Sequence, residues 1–354
     1  MKKYNINFII LLFLFVFITS GCSISFNTGS SSGVNDGGVY VTKNKGETWQ
    51  QKVLIPTNSG RAKTIATLNT NALVMDPGDN KALYFGSIDN GLFYTYDSGD
   101  NWVVALGLNQ STIASLAVDP DSRCIIYAAI DNKVYKSTDC NRSWAQIYFD
   151  NSAETKINSI AIDHFKSTNV YIGTSRGEII KSLDRGVSWQ TIKRFENSVA
   201  KIVISPSDSR MLFAATAKEG LFISKDAGAG WQSLSEQLKD FKDILKFRDF
   251  VCAVDKPGQI FLATDYGLLA SKDYGENWSK IELITPENKA TINAIAVSPK
   301  DSKEIYYVTN TTFYRSLDGG ENWTTKKLPT SRSGWKLLID PKDTGVIYLG
   351  ARKN

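Results

Sequence analysis

Histidine, cysteine and methionine are scarce in this sequence of 354 residues. It has one histidine, four cysteines and three methionines, and its formal net charge is only +5. With His164 as the single histidine, no Ser-His-Asp triad and no zinc site of histidine and cysteine ligands can be written. Glycine-rich phosphate loops are also missing, and the near balance of charge gives no basis for nucleic-acid binding. We therefore expect no cofactor, no metal ion and no nucleic-acid partner.

The sequence also lacks an apolar run long enough to span a bilayer as a stable helix. The run Phe8–Ile18 covers eleven residues, follows Lys2 and Lys3, and ends shortly before Gly21-Cys22. A positive start, a short apolar stretch and small residues are typical of a secretory signal peptide. We predict a signal peptide over residues 1–21 and a flexible tether, rich in Ser, Gly and Asn, over residues 22–37.

A nine-residue motif recurs along the rest of the chain. RSLDGGENW, KSLDRGVSW, ISKDAGAGW and ASKDYGENW are close copies, and YTYDSGDNW, KSTDCNRSW and VTKNKGETW are looser ones. We call each copy a Trp turn because it ends in a tryptophan: Trp49, Trp102, Trp144, Trp189, Trp231, Trp278 or Trp323. The tryptophans are 42 to 53 residues apart. This period is typical of stacked or radial repeat arrays.

Each repeat reads as four short strands, clearest in INSIAID, VYIGTS, GEIIKSLD and SWQTIK within Ile157–Lys193. The Trp turn joins the third strand to the fourth. Its hydroxyl and carboxylate can bond turn backbone groups, its glycine allows positive φ, and its tryptophan can pack between sheets. We therefore predict a structural role, and not a catalytic one, for Asp97, Asp139, Asp184, Asp226, Asp273 and Asp318.

The two ends of the repeat region complement each other. Before Trp49 the chain has room only for a third and a fourth strand, whereas Trp335–Ala351 supplies only a first and a second. Sharing one blade between the ends removes the exposed edges of an open array. The sequence therefore predicts an all-β fold: a single seven-bladed β-propeller of four-stranded antiparallel blades over residues 38–354, closed by N- and C-terminal strands in one blade.

The repeated motif resembles the Asp-box, or BNR, repeat of sialidase-like propellers, with Asn44 and Asn141 departing from the pattern. The single seven-bladed architecture is similar to the photosystem II assembly and stability factors, which in cyanobacteria are lipoproteins. Gly21-Cys22 resembles a bacterial lipobox, although Thr19 stands where leucine is commoner. The resemblance implies acylation of Cys22 and an exported protein, lipid-anchored on the extracytoplasmic side of the cell envelope membrane.

Cysteine spacing predicts one disulfide. Counting back from the Asp131-Asn132 turn places Cys140 beside Cys124 on the neighbouring strand, and an exported protein meets oxidising conditions. Cys252, in the apolar stretch FVCAV, is predicted to be a free buried thiol.

One face of the ring is expected to carry the turns between second and third strands together with the links between blades; we call it the link face. The stretch SLSEQLKDFKDILKF in one such link has apolar residues at helical spacing, which predicts a short amphipathic helix. The binding residues that we predict for this face are Arg61, Lys63, Arg176, Lys218, Tyr266, Arg332 and Arg352.

Two enzyme classes built on such propellers match the sequence incompletely. Sialidases carry an arginine motif ahead of the first Asp box, whereas no arginine precedes Arg61 here. Xyloglucan hydrolases use two facing propellers. The resulting hypothesis is a non-enzymatic, monomeric, membrane-tethered platform for binding or assembly of a protein partner. The alternative is a glycoside hydrolase or glycan-binding propeller using the turn acids Asp89, Asp131, Glu178, Glu219 and Asp265.

Overall fold

The computed structural model describes residues 35–108, 110–242, 244–289 and 291–353. The predicted signal peptide, Cys22 and nearly all of the predicted tether lie outside these residues. Within the described ranges, no helix is both long and apolar enough to cross a membrane.

The strands form seven four-stranded antiparallel sheets and one small hairpin. The first strands are β1 (Gly38–Thr42), β2 (Gln50–Lys52) and the hairpin β3 (Leu54–Ile55) and β4 (Lys63–Thr64). Blade 1 contains β5 (Thr70–Met75), β6 (Leu83–Ser87), β7 (Leu92–Thr95) and β8 (Val103–Val104). Blade 2 contains β9 (Ser115–Asp119), β10 (Ser122–Ile130), β11 (Lys133–Ser137) and β12 (Ala145–Phe149). Blade 3 contains β13 (Ile157–Ile162), β14 (Val170–Thr174), β15 (Glu178–Ser182) and β16 (Gln190–Arg194).

The second half of the ring continues the same order. Blade 4 contains β17 (Val199–Ser205), β18 (Asp208–Thr216), β19 (Leu221–Ser224) and β20 (Gln232–Ser233), followed by the short helix α1 (Ser235–Leu238). Blade 5 contains β21 (Phe247–Cys252), β22 (Ile260–Thr264), β23 (Leu268–Ser271) and β24 (Ser279–Ile281). Blade 6 contains β25 (Ala294–Val297), β26 (Ile305–Val308), β27 (Thr312–Ser316) and β28 (Thr324–Lys327), and the last strands are β29 (Ser333–Ile339) and β30 (Ile347–Arg352).

Blade 7 closes the ring with strands from both ends of the repeat region. Its order is β2-β1-β30-β29, and β1 pairs with β30 from Gly38 opposite Ala351 to Thr42 opposite Ile347. The predicted fold class, the blade count and the shared closing blade are confirmed.

The innermost strands contact one another around a central channel. The second strand of each blade carries a fully buried aromatic ring. These rings belong to Tyr84, Tyr127, Tyr171, Phe213, Phe261, Tyr306 and Tyr348. Such rings bury a large apolar area in the wedge between adjacent blades. Two residues after this aromatic the side chain is small or β-branched, because the next blade comes close. A Cβ at Gly86 would lie 2.7 Å from Ile113, and one at Gly173 would lie 2.6 Å from Val199.

The Trp turns are held by short hydrogen bonds. In the copy ending at Trp189, the Ser182 hydroxyl donates to Asp184 (2.7 Å) and accepts the Gly186 N–H (2.7 Å). Hydrogen bonds from the Ser188 hydroxyl and N–H lower the pKa of Asp184 to about 2. Gly186 has φ 91°, which only glycine adopts readily. These contacts fit the predicted structural role of the turn.

The degraded turn ending at Trp144 keeps this backbone path. Asn141 replaces the usual glycine and adopts φ 69°, directly after Cys140 at φ 58°. Asparagine tolerates the left-handed region better than most residues. The structure contains the predicted Cys124–Cys140 disulfide, and Cys140 N–H donates to the Cys124 carbonyl at 3.3 Å. The disulfide therefore ties this turn to the start of β10.

We expect reduction of the Cys124–Cys140 disulfide to lower the free energy of unfolding by about 3 kcal/mol, because the bond closes a loop of roughly 15 residues in the unfolded chain. Urea unfolding of Cys252→Ser protein with and without reductant measures this difference and leaves the disulfide as the one variable. Burial raises the pKa of Cys252 to about 12, so this thiol is not itself a ready nucleophile. Equal midpoints in the two conditions would contradict the prediction.

The predicted amphipathic helix in the link after blade 4 is shorter than its pattern indicated. Only Ser235–Leu238 is helical, and Leu234 and Leu238 are fully buried against blades 4 and 5. Ile244 is buried further along, whereas Leu245 is 40% exposed. After one helical turn, packing against blades 4 and 5 determines the path of the backbone, and the helical spacing of the apolar residues does not.

Candidate functional site

Most of the predicted binding residues lie on the link face. Arg61, Lys63 and Lys218 are exposed there. Arg176 is also exposed and approaches the buried Asp150 at 3.5 Å. Tyr266 is half-buried in the turn between β22 and β23. These residues are spread around the rim, and they do not form one basic patch.

Arg332, which is also predicted to be a binding residue, is enclosed by its neighbours. Its guanidinium is buried and lies 3.1 Å from the Asp36 carboxylate. It also donates to the backbone carbonyls of Leu68 (2.8 Å) and Thr67 (3.2 Å) and to the side chain of Asn69 (3.0 Å). The segment before blade 1 folds over Arg332, so this residue joins blade 7 to its neighbour and is not available to a ligand.

Arg352 stands at the mouth of the channel. Its guanidinium lies 4.0 Å from the centre of the Trp335 ring and donates to the Asn71 side chain at 3.0 Å. Burial lowers the pKa of Arg352. The stacked pair therefore places a cation and an indole ring together at the entrance.

The turn acids of the glycosidase alternative are mostly engaged by neighbours. Glu178 is buried and accepts from Arg194 at 3.0 Å, and Asp265 accepts from Arg248 at 2.5 Å. Asp89 accepts the Thr112 hydroxyl at 2.6 Å, and Glu219 accepts the Asn197 N–H at 3.3 Å. Asp131 lies in the β10–β11 turn with φ 49°. These five acids lie in five different blades, and among the described residues none of them shares a hydrogen bond with another.

A small pocket beside Tyr266 does collect acidic side chains. It has a volume of about 240 Å³ and is lined by Tyr266, Leu283 and the charged residues Lys280, Glu282 and Glu287. The Lys280 ammonium lies 2.6 Å from Glu282 and 2.5 Å from Glu287. The hydrogen bond from Lys280 lowers the pKa of Glu287, which is therefore ionised at neutral pH. We call this site the rim pocket.

The Tyr266 ring, which forms the aromatic wall of the rim pocket, is supported by a second aromatic residue. Phe241 contacts Tyr266 edge-on, with ring centres 5.4 Å apart. Burial raises the pKa of Tyr266, and nearby Glu287 adds to this effect, so the phenol stays neutral. The pocket thus combines a positioned ring with two carboxylates around one ammonium, a mixture that suits hydrogen bonding to hydroxyl groups and stacking on an apolar ring face.

The central channel is the second candidate site, and it is larger, with a volume of about 650 Å³. Lys201 of β17 donates to the Asp249 carboxylate (2.7 Å) and to the Phe250 carbonyl (2.9 Å) in blade 5. Asp249 also accepts the Ile295 N–H of blade 6 at 3.0 Å. Although burial raises the pKa of Asp249, the charges of Lys201 and Lys336 and the hydrogen bonds outweigh it and hold that pKa below its ordinary value.

Sequence reasoning missed the channel charges. Lys201, Asp249 and Lys336 come from three different blades, and each lies next to a β-bulge that adds one residue to the strand. Because a bulge breaks the two-residue alternation, the pattern cannot tell which side chains face the channel. Alignment of the seven repeats at the second-strand aromatic would have placed the three residues at one level. Among the described residues, no cluster of histidine, cysteine, aspartate and glutamate suits a metal ion.

Comparisons with known proteins support the propeller architecture and bear on function. Residues 132–263 match the family model described as Sortilin, neurotensin receptor 3 (Sortilin-Vps10), a little over a third of the chain. A xyloglucanase of Paenibacillus sp. is 25% identical over 62% of this chain and 21% of its own length. The xyloglucanase Xgh74A of Acetivibrio thermocellus is 23% identical over 88% of this chain and 39% of its own length. The chain thus spans well under half the length of these relatives.

Solved structures share the fold at lower identity. The GH74 enzyme of Niastella koreensis superimposes with a TM-score of 0.65 at 15% identity, covering 80% of this chain and 51% of that one. YCF48 bound to D1 peptide superimposes with a TM-score of 0.63 at 16% identity, covering 84% of this chain and 94% of that one.

The hypothesis of a non-enzymatic protein-binding platform is contradicted by these similarities, because the curated relatives are xyloglucanases and GH74 enzymes are among the structural neighbours. They favour the glycoside hydrolase or glycan-binding alternative. From the sequence alone that alternative ranks second, because one propeller replaces two and the arginine motif is missing. Both criteria concern the architecture of whole enzymes, whereas the similarity found here relates one propeller to part of them.

Proposed function

We propose that the protein is a glycoside-hydrolase-type propeller that binds a xyloglucan-type polysaccharide on its link face. The rim pocket carries this proposal. It presents the Tyr266 ring beside carboxylates that can accept hydrogen bonds from sugar hydroxyls, and it opens on the face that holds the links between blades. A concave site with an aromatic wall and a few convergent polar groups is the usual form of a ligand pocket. Similarity to xyloglucanases supports the choice of polysaccharide.

The acidic residues of the rim pocket suit one of the two carboxyl roles in glycoside hydrolysis. Hydrolysis of a glycosidic bond uses one carboxyl group as proton donor and a second as base or nucleophile. Glu287 is kept ionised by Lys280, which suits a base or nucleophile and does not suit a proton donor. We infer that, in any cleavage reaction, the proton donor is a residue on a second surface that faces this pocket. Binding is therefore the primary activity that we assign to the described residues.

Replacement of Tyr266 by alanine is expected to weaken xyloglucan binding at least tenfold, because the ring supplies the stacking surface of the pocket. Affinity electrophoresis in gels containing xyloglucan measures the change. Phe165→Ala is the matched control, because Phe165 is an exposed aromatic residue in the turn between β13 and β14, on the face opposite the link face.

The same preparations test hydrolysis through the release of reducing ends from xyloglucan. If cleavage occurs, Glu287→Gln is expected to abolish it while the protein still binds the polysaccharide. Failure of the unmodified protein to bind xyloglucan, or equal binding by Tyr266→Ala protein, would overturn the proposal.

A further inference from the structure

Seven equivalent positions, one on each innermost strand, form a single level of the central channel. Each is paired with the small or β-branched residue that follows the buried aromatic by two positions on the second strand. We call this ring of positions the channel level: Ala72, Ser115, Ser159, Lys201, Asp249, Ala294 and Lys336.

Most polar members of the channel level link neighbouring blades. The Ser115 and Ser159 hydroxyls each accept a backbone N–H from the next innermost strand at 3.0 Å. Lys201 and Asp249 continue the connection from blade 4 to blade 6, as described above. These four residues therefore have a structural role in holding the ring together.

Lys336 has no such role. Among the described residues its ammonium group forms no hydrogen bond and no ion pair, although the side chain lines the channel and is half-buried. Burial lowers its pKa, and the charge of Lys201 and that of Arg352 lower it further, with Asp249 acting in the opposite direction. The ammonium group of Lys336 thus lines the channel without a hydrogen-bonded partner.

The charges around Lys336 do not balance. Of the charged residues described in the channel lining, Lys201, Arg248 and Lys336 are basic and only Asp249 is acidic. Asp265 neutralises Arg248 from the rim, and Lys201 pairs with Asp249. Lys336 therefore shares the single negative charge of Asp249 with Lys201, and it has a further positive neighbour, Arg352, at the mouth. A concave, poorly solvated wall focuses such a potential and raises the local concentration of anions.

We propose that the channel binds a carboxylate-bearing ligand, with the Lys336 ammonium as its charge anchor. Lysine carries three N–H donors, and Lys201 uses two of them for Asp249 and Phe250, so one donor remains there beside the three of Lys336. The donors come from two residues, in blades 4 and 7, so each of the two oxygens of a carboxylate can accept from one of them. A tetrahedral phosphate, in contrast, carries further oxygens that these two residues leave without a donor. The Trp335 ring, next to Lys336, offers an apolar surface for the rest of the ligand.

Two kinds of ligand carry such a carboxylate: a small free carboxylic acid and a uronate residue within a polysaccharide. Calorimetric titrations at low ionic strength with acetate, glucuronate and a glucuronate-bearing xylan oligosaccharide distinguish them, and glucose serves as the uncharged control. Tighter binding of the oligosaccharide than of free glucuronate would assign the polysaccharide source, and equal binding would assign the small carboxylate. This site does not depend on xyloglucan binding at the rim pocket, so the two proposals fail separately.

We expect Lys336→Gln to weaken glucuronate binding at least tenfold and Lys336→Arg to retain most of it. Lys256→Gln is the matched control, since Lys256 is an exposed lysine outside the channel and is expected to leave the affinity unchanged. Thermal melting checks that each variant is folded. Undetectable glucuronate binding, equal affinity of Lys336→Gln protein, or inorganic phosphate binding as tightly as glucuronate would overturn the proposal.

Discussion

Truncation of the chain after Pro329 is expected to abolish the cooperative unfolding transition of the whole propeller. The removed segment contains β29 and β30, which form the inner half of blade 7 and pair with β1. Without them, blade 6 and blade 1 lose their common neighbour, and β1 and β2 are left as a two-stranded ribbon, which is marginally stable at best. The edges that ring closure removes become exposed to solvent.

Urea unfolding followed by circular dichroism and by tryptophan fluorescence tests this expectation. A chain ending at Arg352 is the control, because it removes only residues beyond the last strand. The truncated protein should show no sigmoidal transition, or a much smaller dependence of the free energy on urea concentration. A transition with the midpoint and slope of the full chain would show that six blades are sufficient.

Replacement of Arg332 by methionine is expected to lower the free energy of unfolding by ~3 kcal/mol, the low end of the range for removing one partner of a buried ion pair. The low end applies because Arg332 is buried but Asp36 is only half-buried. Methionine fills much of the same volume but leaves Asp36 and the carbonyls of Thr67 and Leu68 without their donors. Arg332→Lys should recover only part of the loss, because an ammonium cannot reproduce the planar fork of donors.

Urea unfolding at neutral pH gives the comparison, with Arg61→Met as the matched control. Arg61 is exposed, and exposed substitutions away from special contacts usually change stability by less than about 0.5 kcal/mol. If Arg332→Met stays within that range, the contacts of this guanidinium are not a determinant of ring closure.

The parts of the structure that could be predicted from sequence are those that repeat. The Trp turns and the alternating strands define blade boundaries, and the incomplete repeats at the two ends indicate closure. The Cys124–Cys140 pairing follows from hairpin register, which is fixed once the Asp131-Asn132 turn is located. In each case several residues at fixed offsets indicate the same element.

The features that sequence could not predict are those set by single contacts between distant segments. Arg332 is one of the predicted binding residues of the link face, yet residues 67–69 fold over it from a position far earlier in the chain. The rim pocket likewise joins the β22–β23 turn to the link after β24. The function hypothesis failed for a related reason, because the repeated motif reports how blades fold and carries no information on what their outer surfaces bind.

The channel level has a consequence for how such a ring can change over evolutionary time. Its seven positions carry alanine, serine, lysine or aspartate on nearly the same backbone. A mutation at one of the three positions that make no hydrogen bond between blades, Ala72, Ala294 or Lys336, therefore alters the inner surface without changing the blade that presents it. The inner surface of the ring can therefore diversify by single substitutions, while the buried aromatic residues behind it remain constrained because they keep the blades in place.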